Sequence, residues 1–296
     1  MTPTVAVDRF QTSPPLNRVS GSLPDYLADA VVSALIAEVM LTPKPGLVDM
    51  RSRGAHIDLS WNLMCHSAWA LHSTFHAMAS AGQTIADQQT LREEIGAIGR
   101  QGERAMMQAT GGTNTHRGAV WALGLLVSAA AQDCLSLAPQ SVAARAGALA
   151  RCHDRFAPVT TGNKGERACR DYGVGGARAQ AQAGFPHVID IALPTLERSR
   201  ASGHGENAAR LNALLAIVSD LDDTCVLSRG GTDALTAVQS GARRILAAGG
   251  AAHSDGATAL QQYEAEMLTL RVSPGGAADL LAATLFLDRI RTDLAH

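Results

Sequence analysis

Apolar residues recur at three- and four-residue intervals along most of this chain, and period-two alternation is nearly absent. A half-buried strand needs the alternation, and an amphipathic helix needs the longer spacing. The strongest single case is Gly118 to Ala131, apolar nearly all round, which predicts a helix buried on every side. Pro24 to Leu41 places Leu27, Val31, Leu35, Ile36 and Val39 on one face. Ser60 caps a second predicted helix, in which Met64, Ala68, Leu71, Phe75 and Met78 repeat. Thr90 and Glu93 have capping-box spacing ahead of Ile95, Ile98, Gly102 and Met106. Further helices are expected at 141–153, 187–199, 206–220, 233–248, 256–270 and 277–292. The fold class is therefore all-α: a single globular multi-helix array, with functional residues on inter-helix connectors. At 296 residues the chain is long enough for one or two domains. No linker divides it. Residues 1–22, rich in Thr, Pro, Ser and Asn, read as a mobile tail. Residues 23–296 read as one helical catalytic domain.

Charge and composition narrow the function. The net charge is −2, only 4% of residues are aromatic, and no basic stripe appears. Nucleic-acid binding is thus not expected, because it needs a basic face or stacking rings. The five cysteines are scattered, odd in number and without a Cys-x-x-Cys pair. That pattern fits reduced thiols in the cytoplasm. The longest apolar run, Ala119 to Ala131, covers 13 residues. A membrane span needs roughly 18 or more, so no membrane association is expected. The N-terminus lacks the charged-then-apolar order of a secretory signal.

Polar chemistry concentrates between the helices. Thr42-Pro43-Lys44-Pro45-Gly46-Leu47-Val48-Asp49 follows the first helix. Its prolines stop that helix and stiffen the backbone, and Gly46 permits a turn or a close approach. One cation, Lys44, and one carboxylate, Asp49, on a stiff connector suit a phosphorylated or metal-bound ligand. Gly111 to Gly118 carries Asn114, His116 and Arg117 straight into the buried helix. A glycine-rich turn at a helix N-terminus offers free N–H groups and a positive dipole end to anions, and Arg117 adds a bidentate phosphate contact. Asn114 or Thr115 is the expected cap. Arg229-Gly230-Gly231-Thr232, before the 233–248 helix, and Ser273-Pro274-Gly275-Gly276, before the last one, repeat the design.

Carboxylates collect at the same places. Asp222-Asp223 is read as ending a helix, where the dipole disfavours a negative charge. Asp49 and Asp58 flank Gly54-Ala55-His56. Asp279 is expected in the first turn of the last helix. Magnesium, bound by one or two carboxylates plus substrate phosphates, is the cofactor these groups suggest. His72 and His76 have metal-ligand spacing, but no third ligand lies near them in sequence, so a structural role is expected.

Taken together, these connectors resemble the triphosphoribosyl-dephospho-CoA synthase family, and its malonate decarboxylase branch more than its citrate lyase branch. The matching pieces are Thr42 to Asp49, Gly54 to Asp58, Gly102-Glu103, Asn114 to Gly118, Tyr172-Gly173 and Gly184-Phe185-Pro186. Asp223-Thr224, Arg229 to Gly231, Ser273 to Gly276 and Ala278 to Leu281 complete the set. The match runs in order over nearly the whole chain. Trp121 to Leu126 and Ala282 to Asp288 carry the branch preference. Three positions depart from the family pattern: Cys225 stands where Asn is expected, Gln180 where Glu is expected two residues after Arg178, and Thr160-Thr161-Gly162-Asn163 is rearranged.

The resemblance implies a transferase that joins the 5-triphosphoribosyl group of ATP to the 2′-hydroxyl of 3′-dephospho-CoA and releases adenine. The product is the precursor of a prosthetic group for an acyl carrier protein. It further implies roles for Asp49 and Asp223 in catalysis or in binding Mg²⁺, with Asp58 and Asp279 as further metal ligands. His116 or His56 would assist the departing adenine. Lys44, Arg117 and Arg229 would hold triphosphate, with Gly46, Asn114, Arg178, Gly230, Gly231, Ser273, Gly275 and Gly276 completing the substrate contacts. Two other readings fit the same polar inventory: a magnesium-dependent helical glycohydrolase acting on ADP-ribose-like compounds, and an inactive nucleotide-binding partner of an acyl carrier protein.

Overall fold

In the computed structural model, residues 21–293 are described, and all their regular structure is helical. The predicted tail 1–22 lies outside the described residues except for Gly21 and Ser22. Ser22 caps α1 (Leu23–Met40), with its hydroxyl accepting from Asp25 N and its own N–H donating to the Asp25 carboxylate. At the other end of α1 the backbone turns extended at Leu41, and Pro43 follows it with a cis peptide bond.

The apolar segment forms α5 (Arg117–Gln132), with twelve of its residues buried. It packs against α1, α3 (His72–Thr84), α4 (Gln88–Ala109), α6 (Pro139–Arg151) and α13 (Gly275–Asp293). Ser128 Oγ donates to the Gly124 and Met78 carbonyls, at 2.8 and 3.2 Å, so the one polar group in the run is satisfied within this packing. A contiguous core runs from Tyr26 to Ile290. α9 (Leu193–Ala201), α10 (Glu206–Val218), α11 (Thr224–Ala247) and α12 (Ser254–Leu270) complete its far side. Among the described residues no helix is long and apolar enough to cross a membrane.

Several element boundaries differ from the sequence expectation. Ser60 does cap α2 (Trp61–Ala70), but the predicted long helix breaks at Leu71, where ψ opens to −4°. Asp87, rather than Thr90, caps α4, and its carboxylate accepts from Thr90 N at 2.8 Å. The capping-box reading took an interior threonine for the cap. α7 (Lys164–Tyr172) and α8 (Gly176–Gln182) were not expected, because each buries only one residue and shows no apolar stripe. The expected 187–199 helix opens with a π-helical stretch, His187–Ala192, before α9. Finally, α11 begins at Thr224, nine residues before the expected start, and bends at Gly231.

Candidate active site

One cavity of about 1100 Å³ opens where α1, α4, α5, α7, α8, α11 and α13 converge with the connectors between them. That exceeds the roughly 300–1,000 Å³ of an ordinary single-ligand pocket. Of the residues singled out from sequence, Lys44, His56, Asp58, Asn114, His116, Arg117, Arg178, Asp223, Arg229, Ser273, Gly275, Gly276 and Asp279 line it. Asp49, Gly46, Gly230 and Gly231 do not.

Asp49 braces its own loop. Its carboxylate accepts from the Thr42 hydroxyl at 2.8 Å, from Lys44 N at 3.2 Å, and from Arg51 N and Ser52 N at 2.8 Å each. Burial pushes its pKa up, but the Thr42 hydroxyl and these N–H donors outweigh burial and hold it below the usual carboxylate range. With its oxygens spent on the loop, Asp49 fits neither a base nor a metal ligand. Gly46 packs against the Val272 carbonyl, where a Cβ would stand 2.5 Å from the oxygen. The loop that Asp49 ties together delivers Lys44 to the cavity wall. There Lys44 Nζ meets Glu38 Oε1 at 2.5 Å, and both side chains are almost fully buried.

Asp223 corrects an expectation. It does not end a helix; it caps α11, accepting from Cys225 N at 2.8 Å, and its other oxygen takes Ala277 N at 2.9 Å. The dipole favours a carboxylate there. Burial nevertheless raises its pKa. The Arg229–Thr232 segment is likewise no helix-opening phosphate turn. Arg229 and Gly230 lie inside the first part of α11, and Gly231, at φ 68° and ψ −163°, is the bend. That conformation is essentially glycine-only. It leaves the Arg229 guanidinium 3.4 Å from both the Ser273 carbonyl and His56 Nδ1.

The glycine turn at 111–118 meets α5 as expected, although His116 is the formal cap, and Asn114 Oδ1 accepts from Arg117 N at 3.2 Å. Arg117 pairs with Glu103 at 3.0 Å. His116 is buried, with Nδ1 2.9 Å from Ser67 Oγ and Nε2 without a partner. Burial and the charge of Lys44 lower its pKa to about 4. His56 Nε2 lies 2.9 Å from Ser273 Oγ. Burial and Arg229 hold its pKa at about 4, against Asp58 at 3.7 Å. Both rings are therefore neutral at pH 7. Each can donate one ring N–H, but neither supplies an imidazolium acid.

Asp279 lies one turn into α13, because that helix starts at Gly275, two residues before its expected start. Its pKa is raised well above the usual range by burial and by the charges of Glu38 and Asp223. Three carboxylates thus share this part of the cavity with a single lysine, Lys44. Among the described residues no three His, Cys, Asp or Glu side chains form a ready-made metal site. The departures also find places: Gln180 Nε2 sits 2.7 Å from His187 Nδ1, and Asn163 caps α7 through Glu166 N at 2.8 Å. Burial raises the Cys225 thiol pKa, which keeps it neutral. His72 and His76 pair separately with Asp29 and Asp25.

Glu38, Arg92, Arg100 and Asp154, none of them a sequence candidate, also line the cavity, as does Trp121, which the sequence marked only for its branch likeness. Signals for some were present. Glu38 stands three residues after Leu35, on the apolar face of α1. Arg92, Gly96 and Arg100 form a stripe at four-residue spacing on α4.

A family model described as CitG: ATP:dephospho-CoA triphosphoribosyl transferase matches residues 24–296. The chain belongs to the CitG family. Relatives agree over nearly their whole lengths. A protein of Azotobacter vinelandii, named a probable 2-(5''-triphosphoribosyl)-3'-dephosphocoenzyme-A synthase, is 55% identical over 91% of this chain and 92% of its own. One of Pseudomonas savastanoi pv. phaseolicola with the same name is 54% identical over 94% of this chain and 95% of its own. One of Klebsiella pneumoniae, named 2-(5''-triphosphoribosyl)-3'-dephosphocoenzyme-A synthase, is 54% identical over 90% of this chain and 94% of its own. No solved structure matches the chain. The CitG match spans every connector that lines the cavity.

Proposed function

We propose that this cavity binds ATP and 3′-dephospho-CoA together and transfers the 5-triphosphoribosyl group to the acceptor's 2′-hydroxyl. The C1′–N9 bond of ATP breaks, a C1′–O2′ bond forms, and adenine leaves with the hydroxyl proton. CitG membership supports the reaction. The observation that carries the site is Asp279, a carboxyl of raised proton affinity on the wall of a cavity large enough for two substrates. A raised proton affinity makes a carboxylate a stronger base for an alcohol. A carboxylate beside the anomeric carbon also stabilises the oxocarbenium-like ribose. His116, a neutral ring whose Nε2 has no partner, would donate a hydrogen bond to the departing purine, while the ring N–H of His56 is committed to Ser273. Lys44, Arg117 and Arg229 would face the triphosphate.

The hard-oxygen donors around the cavity fit Mg²⁺ as cofactor. Asp58, whose carboxylate is exposed, would hold it with phosphates and water completing the shell; Asp223, like Asp49, has both oxygens taken by backbone N–H groups. Bound there, the ion would neutralise triphosphate charge. We infer further that the product is passed on for attachment to an acyl carrier protein, that of malonate decarboxylase; the likeness at Trp121 to Leu126 and Ala282 to Asp288 supports this. The five free thiols support a cytoplasmic enzyme.

The test is to incubate the protein with Mg-ATP, with and without 3′-dephospho-CoA, and to quantify adenine and adduct by mass spectrometry. Both products appearing only with acceptor support the transfer. Adenine without acceptor makes the protein a glycohydrolase, and silence in both reactions ends the proposal. Lys44→Met is expected to raise KM for ATP; an unchanged KM removes Lys44 from the triphosphate contacts.

A further inference from the structure

Away from that carboxylate cluster, three guanidinium groups line the cavity wall, and two of them share one carboxylate. Asp154, buried just after α6, lies 2.6 Å from Arg100 Nη1 and 3.6 Å from Arg92 Nη1. Arg92 is 7% exposed and stands over the Trp121 ring at 5.1 Å. Its Nε–H is buried and has no acceptor. Arg178, on α8, lines the same cavity and makes no contact with Asp154. It and Arg100 are close enough that their charges act against a cation at Arg92. On α4, Arg92, Gly96 and Arg100 share one face. A Cβ at Gly96 would stand 2.1 Å from Asp154 Oδ2, so only glycine lets the carboxylate reach both arginines.

A buried cation with a spare donor, as Arg92 is, is costly until an anion arrives. Planar guanidinium forks match phosphate oxygens two at a time. We propose that Arg92, Arg100 and Arg178 form a polyphosphate subsite that holds the phosphoanhydride of one substrate, with Asp154 keeping the forks aligned. The proposal rests on the transferase reading only for the identity of that substrate. ATP and dephospho-CoA both carry the chemistry, one as a triphosphate and the other as a diphosphate diester.

Inorganic pyrophosphate is the probe, titrated calorimetrically into wild type, Arg178→Gln and Arg92→Lys. Arg178 is solvent-exposed, so its replacement leaves the fold intact. Arg92→Lys keeps the charge and removes the fork. Each variant, checked as folded by circular dichroism, is expected to bind pyrophosphate about tenfold or more weakly. Affinities within twofold of wild type in both overturn the subsite, as does a wild type that binds no pyrophosphate. ATP and 3′-dephospho-CoA are then titrated separately. Weakening confined to ATP assigns the subsite to the donor triphosphate, and weakening confined to 3′-dephospho-CoA assigns it to the acceptor diphosphate. A wild type that holds pyrophosphate through these arginines yet forms no adduct leaves the subsite standing and overturns the transfer.

Discussion

Asp49 and Asp279 are both aspartates at or beside connectors, and the fold gives them opposite electrostatics. Asp49 accepts from one hydroxyl and three backbone N–H groups and is held below the ordinary carboxylate range. Its contribution to stability is therefore present above the unfolded pKa, near 3.9, and is lost as pH falls through the lower folded value. Asp49→Asn is expected to cost about 2–3 kcal/mol at pH 7, the order of one lost hydrogen bond to a charged group. The gap to wild type should close below about pH 4 in urea titrations; a pH-independent gap would contradict the loop-bracing role. Asp279 has the reverse sign. Its folded pKa is raised, so its contribution is intact below the unfolded pKa and is lost as pH rises through the folded one. Asp279→Asn is expected to stabilise the ligand-free protein at pH 7, raising Tm by roughly 2–4 °C for each kcal/mol recovered. Activity should fall about 10²–10⁴-fold. A lowered Tm, or retained activity, would exclude Asp279 as the base.

At the scale of elements, the bend in α11 connects local backbone chemistry to the site. Gly231 breaks the helix in a conformation that L side chains avoid. The Arg229 guanidinium, two residues earlier, then meets the Ser273 carbonyl and His56. Gly231→Ala is expected to destabilise the protein by about 1–3 kcal/mol in chemical denaturation. It should also raise KM for the substrate that contacts Arg229. A variant as stable as wild type would mean that the bend is not fixed by the backbone at this residue. The two-prolines-and-glycine connector after α1 is the counterpart of this bend. Its carboxylate is spent on shape, and its lysine is the group presented to the cavity.

For the whole molecule, the cavity wall is built from segments as far apart in sequence as Leu35 and Ala282. Binding in it should therefore protect distant segments together. Hydrogen exchange with Mg-ATP and 3′-dephospho-CoA present is expected to slow amides at 113–118, 161–166 and 273–279 at once. Protection confined to one segment would contradict a shared cavity. The same ligands should raise Tm with concentration, about 2.7 kcal/mol of stabilisation accruing at one hundred times Kd.

The helical class, the burial of α5, the polar connectors and the family were all legible along the chain. These depend on periodicity and local chemistry, which are written along the chain. Most of the candidate residues named from sequence line the cavity, because polar connectors between apolar helices stand out along the chain. Tertiary structure decided the rest. Asp49 and Asp279 differ by what surrounds them, and no local pattern distinguishes a carboxylate ringed by N–H donors from one crowded by other carboxylates. The arginine stripe on α4 acquired meaning only when Asp154, more than fifty residues downstream, was folded against Gly96. Burial and long-range charge set both outcomes, and neither exists until the helices pack.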